Sequence, residues 1–170
     1  YNQRRREVEK AKELLKSTFP VVQSFREVNE TQLEQVKAEI GDVSHKRVSF
    51  VITEIQRVKD AMKAMEEQRF EYLGFLLNET HHGLSVLYEV SCAELDFLQA
   101  QSLTCGGVLG SRMLGGGFGG CLLILIHQDD VQSAITHLSK QYLAKFGIEP
   151  AAYPVKIGQG IQHMNWHEQV

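Results

Sequence analysis

Ser111-Arg112-Met113-Leu114-Gly115-Gly116-Gly117-Phe118-Gly119-Gly120 runs without a break into the apolar segment Cys121-Leu122-Leu123-Ile124-Leu125-Ile126, and this stretch decides how the chain is read. Five of the six residues from Gly115 to Gly120 are glycine. Glycine gives up more conformational freedom on folding than any other residue. A run of it therefore points to backbone at positive φ, or to a main-chain surface that something must approach without a Cβ in the way. Successive N–H groups in such a bend form an anion-binding concavity, which makes phosphate the natural candidate, with Phe118 expected to prop the bend against apolar neighbours. A plain hairpin turn needs only one or two glycines. The run lies between two strand-like segments, Val108 to Met113 and Cys121 to His127, and lacks a Gly-Lys-Ser/Thr ending. It is therefore a strand-to-strand connection and not a Walker-type loop.

Upstream of the loop the pattern is helical, and downstream the strands begin, so the expected class is α+β, helices packed on a small, mainly antiparallel sheet. Arg4 to Lys16 forms a polar helix with Val8, Ala11, Leu14 and Leu15 on one side, ending before Phe19-Pro20. A short helix follows Asn29 as cap, with Leu33, Val36 and Ile40 inward and Gly41 as its stop. Val48, Val51, Ile52, Ile55, Val58, Met62 and Met65 recur at three- and four-residue steps and predict one inward stripe on a helix from about His45 to Glu67. Further helices are expected from Phe70 to Leu87 and from Cys92 or Ala93 to Gln101. The segment from Cys121 is apolar on both faces, as a central strand covered on both sides would be. Asp129 or Asp130 then caps a helix to Phe146, with Val131, Ile135, Leu138 and Leu143 inward and Gly147 at its end, and Tyr153 to Ile157 forms a last strand.

The chain has 170 residues, of which 43% are apolar, enough for one domain with its own core. A net charge of -3 with both signs interspersed gives no reason to expect nucleic acid or an anionic membrane as partner. Cys92, Cys105 and Cys121 are odd in number and lack C-x-x-C spacing, and no signal peptide or 18-residue apolar run is present. The expectation is a soluble, reduced, cytoplasmic chain. Because it starts at Tyr1 without an initiator Met, it is read as part of something longer.

Other clusters have simpler explanations. Arg4, Arg5 and Arg6 with Lys10 and Lys12 are interleaved with Glu7, Glu9 and Glu13 and read as a solvated helix face. His81 and His82 project about 100° apart on a helix and cannot chelate one ion together. His163 and His167 have a usable spacing but no third ligand, so no metal site is expected. Ser91 as N-cap with Glu94 three residues on predicts a capping box. Cys92, near that helix start, is a candidate for a lowered thiol pKa, yet nothing nearby supplies a base and the reading is a buried structural thiol. Spacing reveals no nucleophile triad.

Gly110-Ser111-Arg112-Met113 followed by Gly115 to Gly120 resembles the third motif of the GHMP sugar and metabolite kinases. Tyr1-Asn2-Gln3-Arg4-Arg5-Arg6-Glu7, Arg47-Val48 ahead of Glu54, Glu79-Thr80-His81, Leu84, and Tyr88-Glu89-Val90-Ser91-Cys92-Ala93-Glu94-Leu95-Asp96 are similar, in order and spacing, to the galactokinase branch of that family. Leu114 stands where the branch has Thr, and Ala93 where it has Pro. The resemblance spans residues 1–170 and implies a ferredoxin-like C-terminal domain whose partner N-terminal half, with the ATP loop and the catalytic aspartate, lies elsewhere. It implies no catalytic residue in this segment, which alone should be inactive. It implies a sugar contact at Tyr1, and an active-site loop near the phosphates formed by Gly115, Gly116, Gly117, Phe118, Gly119 and Gly120. It further implies galactose and Mg-ATP as what the intact protein binds. Open alternatives are a non-catalytic sensor of sugar and ATP, another small-molecule kinase of the family, and a stand-alone ferredoxin-like binding domain.

Overall fold

The computed structural model describes residues 2–156 and residue 158. Helix α1 (Asn2–Thr18) lies along helix α2 (Glu30–Glu66), and Ala11 and Leu15 of the first pack with Leu33, Val36, Ile40 and Val48 of the second. Val22 and Val28, on either side of a 3₁₀ turn at Phe25–Glu27, close this core. Asn29 caps α2 as expected: its Oδ1 accepts from the Gln32 amide at 2.9 Å, and the Gln32 side chain accepts from the Asn29 amide at 3.0 Å. Gly41, at φ 77° and ψ 161°, interrupts the helical backbone, so α2 is two helices joined at the residue expected to stop the first.

Helix α3 (Phe70–His82) runs into one turn of π-helix (Gly83–Leu87), and α4 (Ala93–Ser102) follows after a short irregular segment. Strand β1 (Val108–Met113) pairs antiparallel with β2 (Leu122–Ile126), Met113 opposite Leu122 and Ser111 opposite Ile124, with a shift in register between Val108 and Gly110. Helix α5 (Val131–Phe146) packs on α4, where the Phe97 and Phe146 rings meet edge to face at 5.4 Å, and Gly147 ends it in the left-handed conformation. Among the described residues the sheet has these two strands, with α3 and α4 against β1. The α+β class follows.

Helix α3 meets β1 backbone to backbone. A Cβ on Gly74 would lie 2.2 Å from the Leu109 carbonyl oxygen, and one on Gly110 would lie 2.0 Å from that of Gly74. Buried polar bonds reinforce the contact, with the Ser111 amide donating to Asn78 Oδ1 at 2.8 Å and the Ser102 and Ser111 hydroxyls 2.7 Å apart.

Five expectations are corrected. The α2 stripe is covered at Val48, but Val58, Met62 and Met65 are more than half exposed: toward that end the buried residue is Ala64, so the covered face of the helix is not the one that carries them. Strand β2 is not enclosed on both faces: Leu123 is 36% exposed, and among the described residues β1 is its one paired strand. On α5, Leu143 is exposed, and Asp130 makes no side-chain cap because its carboxylate lies against Gly107 instead. Residues 153–156 form no strand, and Tyr153 and Val155 are almost fully exposed with no strand beside them to pair with; Ile157 lies outside the described residues.

The α3–β1 contact leads to a prediction. Gly110→Ala forces backbone from backbone and should cost about 1–3 kcal/mol, read as a lower urea midpoint; an unchanged midpoint would show that helix and strand are not in direct contact.

Candidate functional site

The glycine run has the geometry that its composition demands. Gly115 (φ 78°), Gly117 (82°), Gly119 (133°) and Gly120 (102°) occupy positive φ, as does Phe118 at 60°. Their surroundings divide them. At Gly115 and Gly119 an added Cβ would meet nothing within 4 Å, and at Gly120 it would just touch the Leu114 carbonyl oxygen at 4.0 Å, so this face of the loop is open. Gly117 is the opposite case, because its Cβ would lie 2.1 Å from the Val90 carbonyl oxygen. The glycine there is required by chain packing. Next to it, the Phe118 amide donates to that same carbonyl oxygen at 2.7 Å.

Phe118 holds the loop by its main chain and not by its ring. The ring is 54% exposed, contrary to the expected apolar prop, and lines a concavity of about 280 Å³ with Cys92, Glu94, Leu98 and Tyr142, Gly119 and Gly120 forming its rim. At the stem, the Leu114 amide donates to the Cys121 carbonyl at 2.9 Å and closes the bend. Gly116 is exposed. Tyr1, the expected sugar contact, lies outside the described residues, as do His163 and His167.

The segment that receives the loop is held by Arg47, a side chain on the inward face of α2 that is only 3% exposed. Its guanidinium donates to the Tyr88 carbonyl at 2.6 Å and pairs with Glu89 at 3.0 Å and with Glu7 of α1. Lys46 and Arg4 also reach Glu89, at 3.2 and 3.4 Å. The Arg47 guanidinium, followed by Lys46, holds the Glu89 carboxyl below the usual carboxylate range. Arg4 is thus part of this network and not simply a solvated charge. Arg47 was visible in the quoted motifs, but its role as a hub was not. The available signal was a cation at an inward position of α2, between Ser44 and Val48, both buried.

His81 is a core histidine. The Met113 amide donates to its Nδ1 at 3.1 Å, which leaves Nε2 as the protonated nitrogen facing Asp96 Oδ1, also at 3.1 Å. Burial pushes its pKa down, against the pull of Asp96. The expected Ser91 capping box does not form. Cys92 is the N-cap, and the Ser91 hydroxyl instead donates to Asp96 Oδ1 at 2.6 Å. Burial raises the Cys92 thiol pKa, so the lowered value is not found, and the thiol is half-buried at the concavity and not enclosed as expected. Ala93 is the first residue of α4, where it satisfies the helix start without a rigid ring.

A pH dependence follows from His81. Its native pKa is depressed, so the unfolded chain binds the proton more readily. Stability should be complete above about pH 6.5 and decline as pH falls below it, by at most about 1.4 kcal/mol per unit. Glu89, held low, acts only below about pH 4.5. His81→Asn, which keeps an acceptor near the Nδ1 position, should flatten the decline between pH 6.5 and 5; an equally steep decline in that variant would assign it to other groups.

Residues 61–144 match the family described as GHMP kinases C terminal. The galactokinase of Staphylococcus saprophyticus is 37% identical over 163 residues, which is 95% of this chain and 42% of that protein. That of Clostridium acetobutylicum is 38% identical over 97% of this chain and 42% of its own length, and that of Thermosipho africanus 35% over 95% and 44%. The chain therefore spans about two fifths of the length of the curated relatives it matches. The crystal structure of Lactococcus lactis galactokinase complexed with galactose superposes with a TM-score of 0.81 at 32% identity, covering 88% of this chain and 38% of that one. Residues 61–144 therefore carry the C-terminal domain of the GHMP kinases, within a chain that is similar in sequence and fold to the galactokinases.

Proposed function

We propose that residues 1–170 form the C-terminal portion of a galactokinase, which as a whole transfers the γ-phosphoryl group of ATP to the C1 hydroxyl of galactose. The observation that carries this reading is the match of galactokinases to 94–97% of the chain, with a galactose-bound member of that group sharing the fold. The apolar side chains left open at Val58, Met62, Met65 and Phe75 also agree with a portion of a larger protein better than with a stand-alone module. Among the described residues no helix is long and apolar enough to cross a membrane.

Phosphoryl transfer is catalysed by positioning and charge stabilisation, with little covalent chemistry for the protein to perform. In this reading the loop of Gly115, Gly116, Gly117, Phe118, Gly119 and Gly120 borders the phosphate-bearing substrates, and its open face at Gly115, Gly119 and Gly120 lets them approach the peptide units. Gly117 and Phe118 fix the loop to Val90. Tyr1, outside the described residues, would in the same reading be the sugar contact. No catalytic base is assigned to this segment. Among the described residues no group of three or more His, Cys, Asp or Glu is placed to grip an ion.

The direct test is galactose-dependent ADP release by the full-length protein. Release with galactose supports the assignment. Release with another small alcohol and none with galactose moves the protein to another kinase of the family, and ligand binding without release makes it a sensor. Within that protein, Gly115→Asn keeps a residue that tolerates the left-handed conformation but adds a side chain to the open face. It should lower kcat/KM roughly tenfold or more with little loss of stability. Unchanged turnover would remove the open face from the reaction.

A further inference from the structure

We infer that Asp96 is a positioning residue for the glycine loop, setting its stem through His81 and its tip through Ser91. The catalytic consequence rests on the galactokinase reading; the anchoring does not. The Asp96 carboxylate accepts from three donors on three parts of the chain: His81 Nε2 from α3 at 3.1 Å, the Ser85 hydroxyl from the π turn at 3.0 Å, and the Ser91 hydroxyl at 2.6 Å. Its side chain is nonetheless 47% exposed, so it fills no core volume whose loss would explain a defect.

The two routes end on the two fixed points of the loop. Through His81, the carboxylate holds the proton on Nε2 and keeps Nδ1 an acceptor for the Met113 amide, one residue before the loop begins at Leu114. Without that partner, a ring only 4% exposed would be free to put its proton on Nδ1, turning it toward the Met113 N–H as a second donor. Through Ser91, the carboxylate fixes the residue that follows Val90, and Val90 carries the carbonyl on which Gly117 packs and to which the Phe118 amide donates. Val90, Leu95 and Met113 also share one buried cluster, so both fixed points move as a unit with the start of α4. One carboxylate thereby sets the distance between stem and tip, and with it the shape of the open glycine face.

The experiment uses the full-length protein with Asp96→Ala, the milder Ser91→Ala, and the Asp96→Ala/His81→Asn double variant. It reads kcat and KM for galactose and ATP together with amide hydrogen exchange over residues 113–121. Asp96→Ala should lower kcat on the order of 10- to 100-fold, the loss expected when reacting groups are displaced by about an ångström, with KM for galactose little changed. Exchange should rise over 113–121 and stay unchanged over α1. Ser91→Ala should show a smaller loss of the same kind, and the double variant should be no worse than Asp96→Ala, since the two residues act in one chain. Unchanged exchange over 113–121 in Asp96→Ala overturns the proposal. So does exchange that rises equally over α1, which would make Asp96 a general stability residue. A wild-type protein that fails to phosphorylate galactose overturns the galactokinase reading instead, and the exchange data still decide the anchoring.

Discussion

The turn from Tyr88 to Ser91 is main chain outside any regular element, and its polar groups find their partners at several points of the fold. Backbone left unpaired in an interior costs as much as a lost hydrogen bond, so the rest of the molecule is arranged to supply those partners. Arg47 donates to the Tyr88 carbonyl, the Val90 amide donates to the Leu84 carbonyl at 3.0 Å, and the Val90 carbonyl accepts from Phe118. Each partner comes from a different element. The turn thus ties α2, the π turn and the glycine loop to one short piece of chain.

This accounts for the placing of a buried cation. A guanidinium in a nearly dry site is costly unless its donors are all used, and removing one member of such a set leaves the others uncompensated. Arg47 spends its donors on one carboxylate from α1, one carboxylate in the turn and main-chain carbonyls, which joins the first core to the second. The loop at the far end inherits that rigidity. Its two fixed residues face inward on Val90, and its open residues face outward, where bare peptide units are exposed without having to find their own shape. A glycine run that would be expensive to order by itself is ordered by neighbours already fixed.

Much of this was legible in the residues. The helical period of α1, the Asn29 cap, the break at Gly41 and both strands follow from local rules, because in each case one residue type or one period answers a local backbone need. The misreadings share a cause. The period of Val58, Met62 and Met65 points inward, but periodicity shows that a face is apolar and not that anything covers it. Ser91 was read as a cap because its spacing to Glu94 suits a box, yet a carboxylate five residues on competes for the same hydroxyl. The split between Gly117, pressed on Val90, and Gly119, open, has no counterpart in sequence, since five glycines look alike until a tertiary neighbour distinguishes them.

The central claim is that a loop held from behind by Val90 presents its open face to the reacting phosphate. A crystal structure of the full-length protein with galactose and a non-hydrolysable ATP analogue bound is the most direct measurement. The account predicts main-chain N–H groups between Gly115 and Gly120 within hydrogen-bond distance of a phosphate oxygen or the sugar, with the Phe118 to Val90 bond intact. A bound nucleotide and sugar with that loop turned into solvent would contradict it.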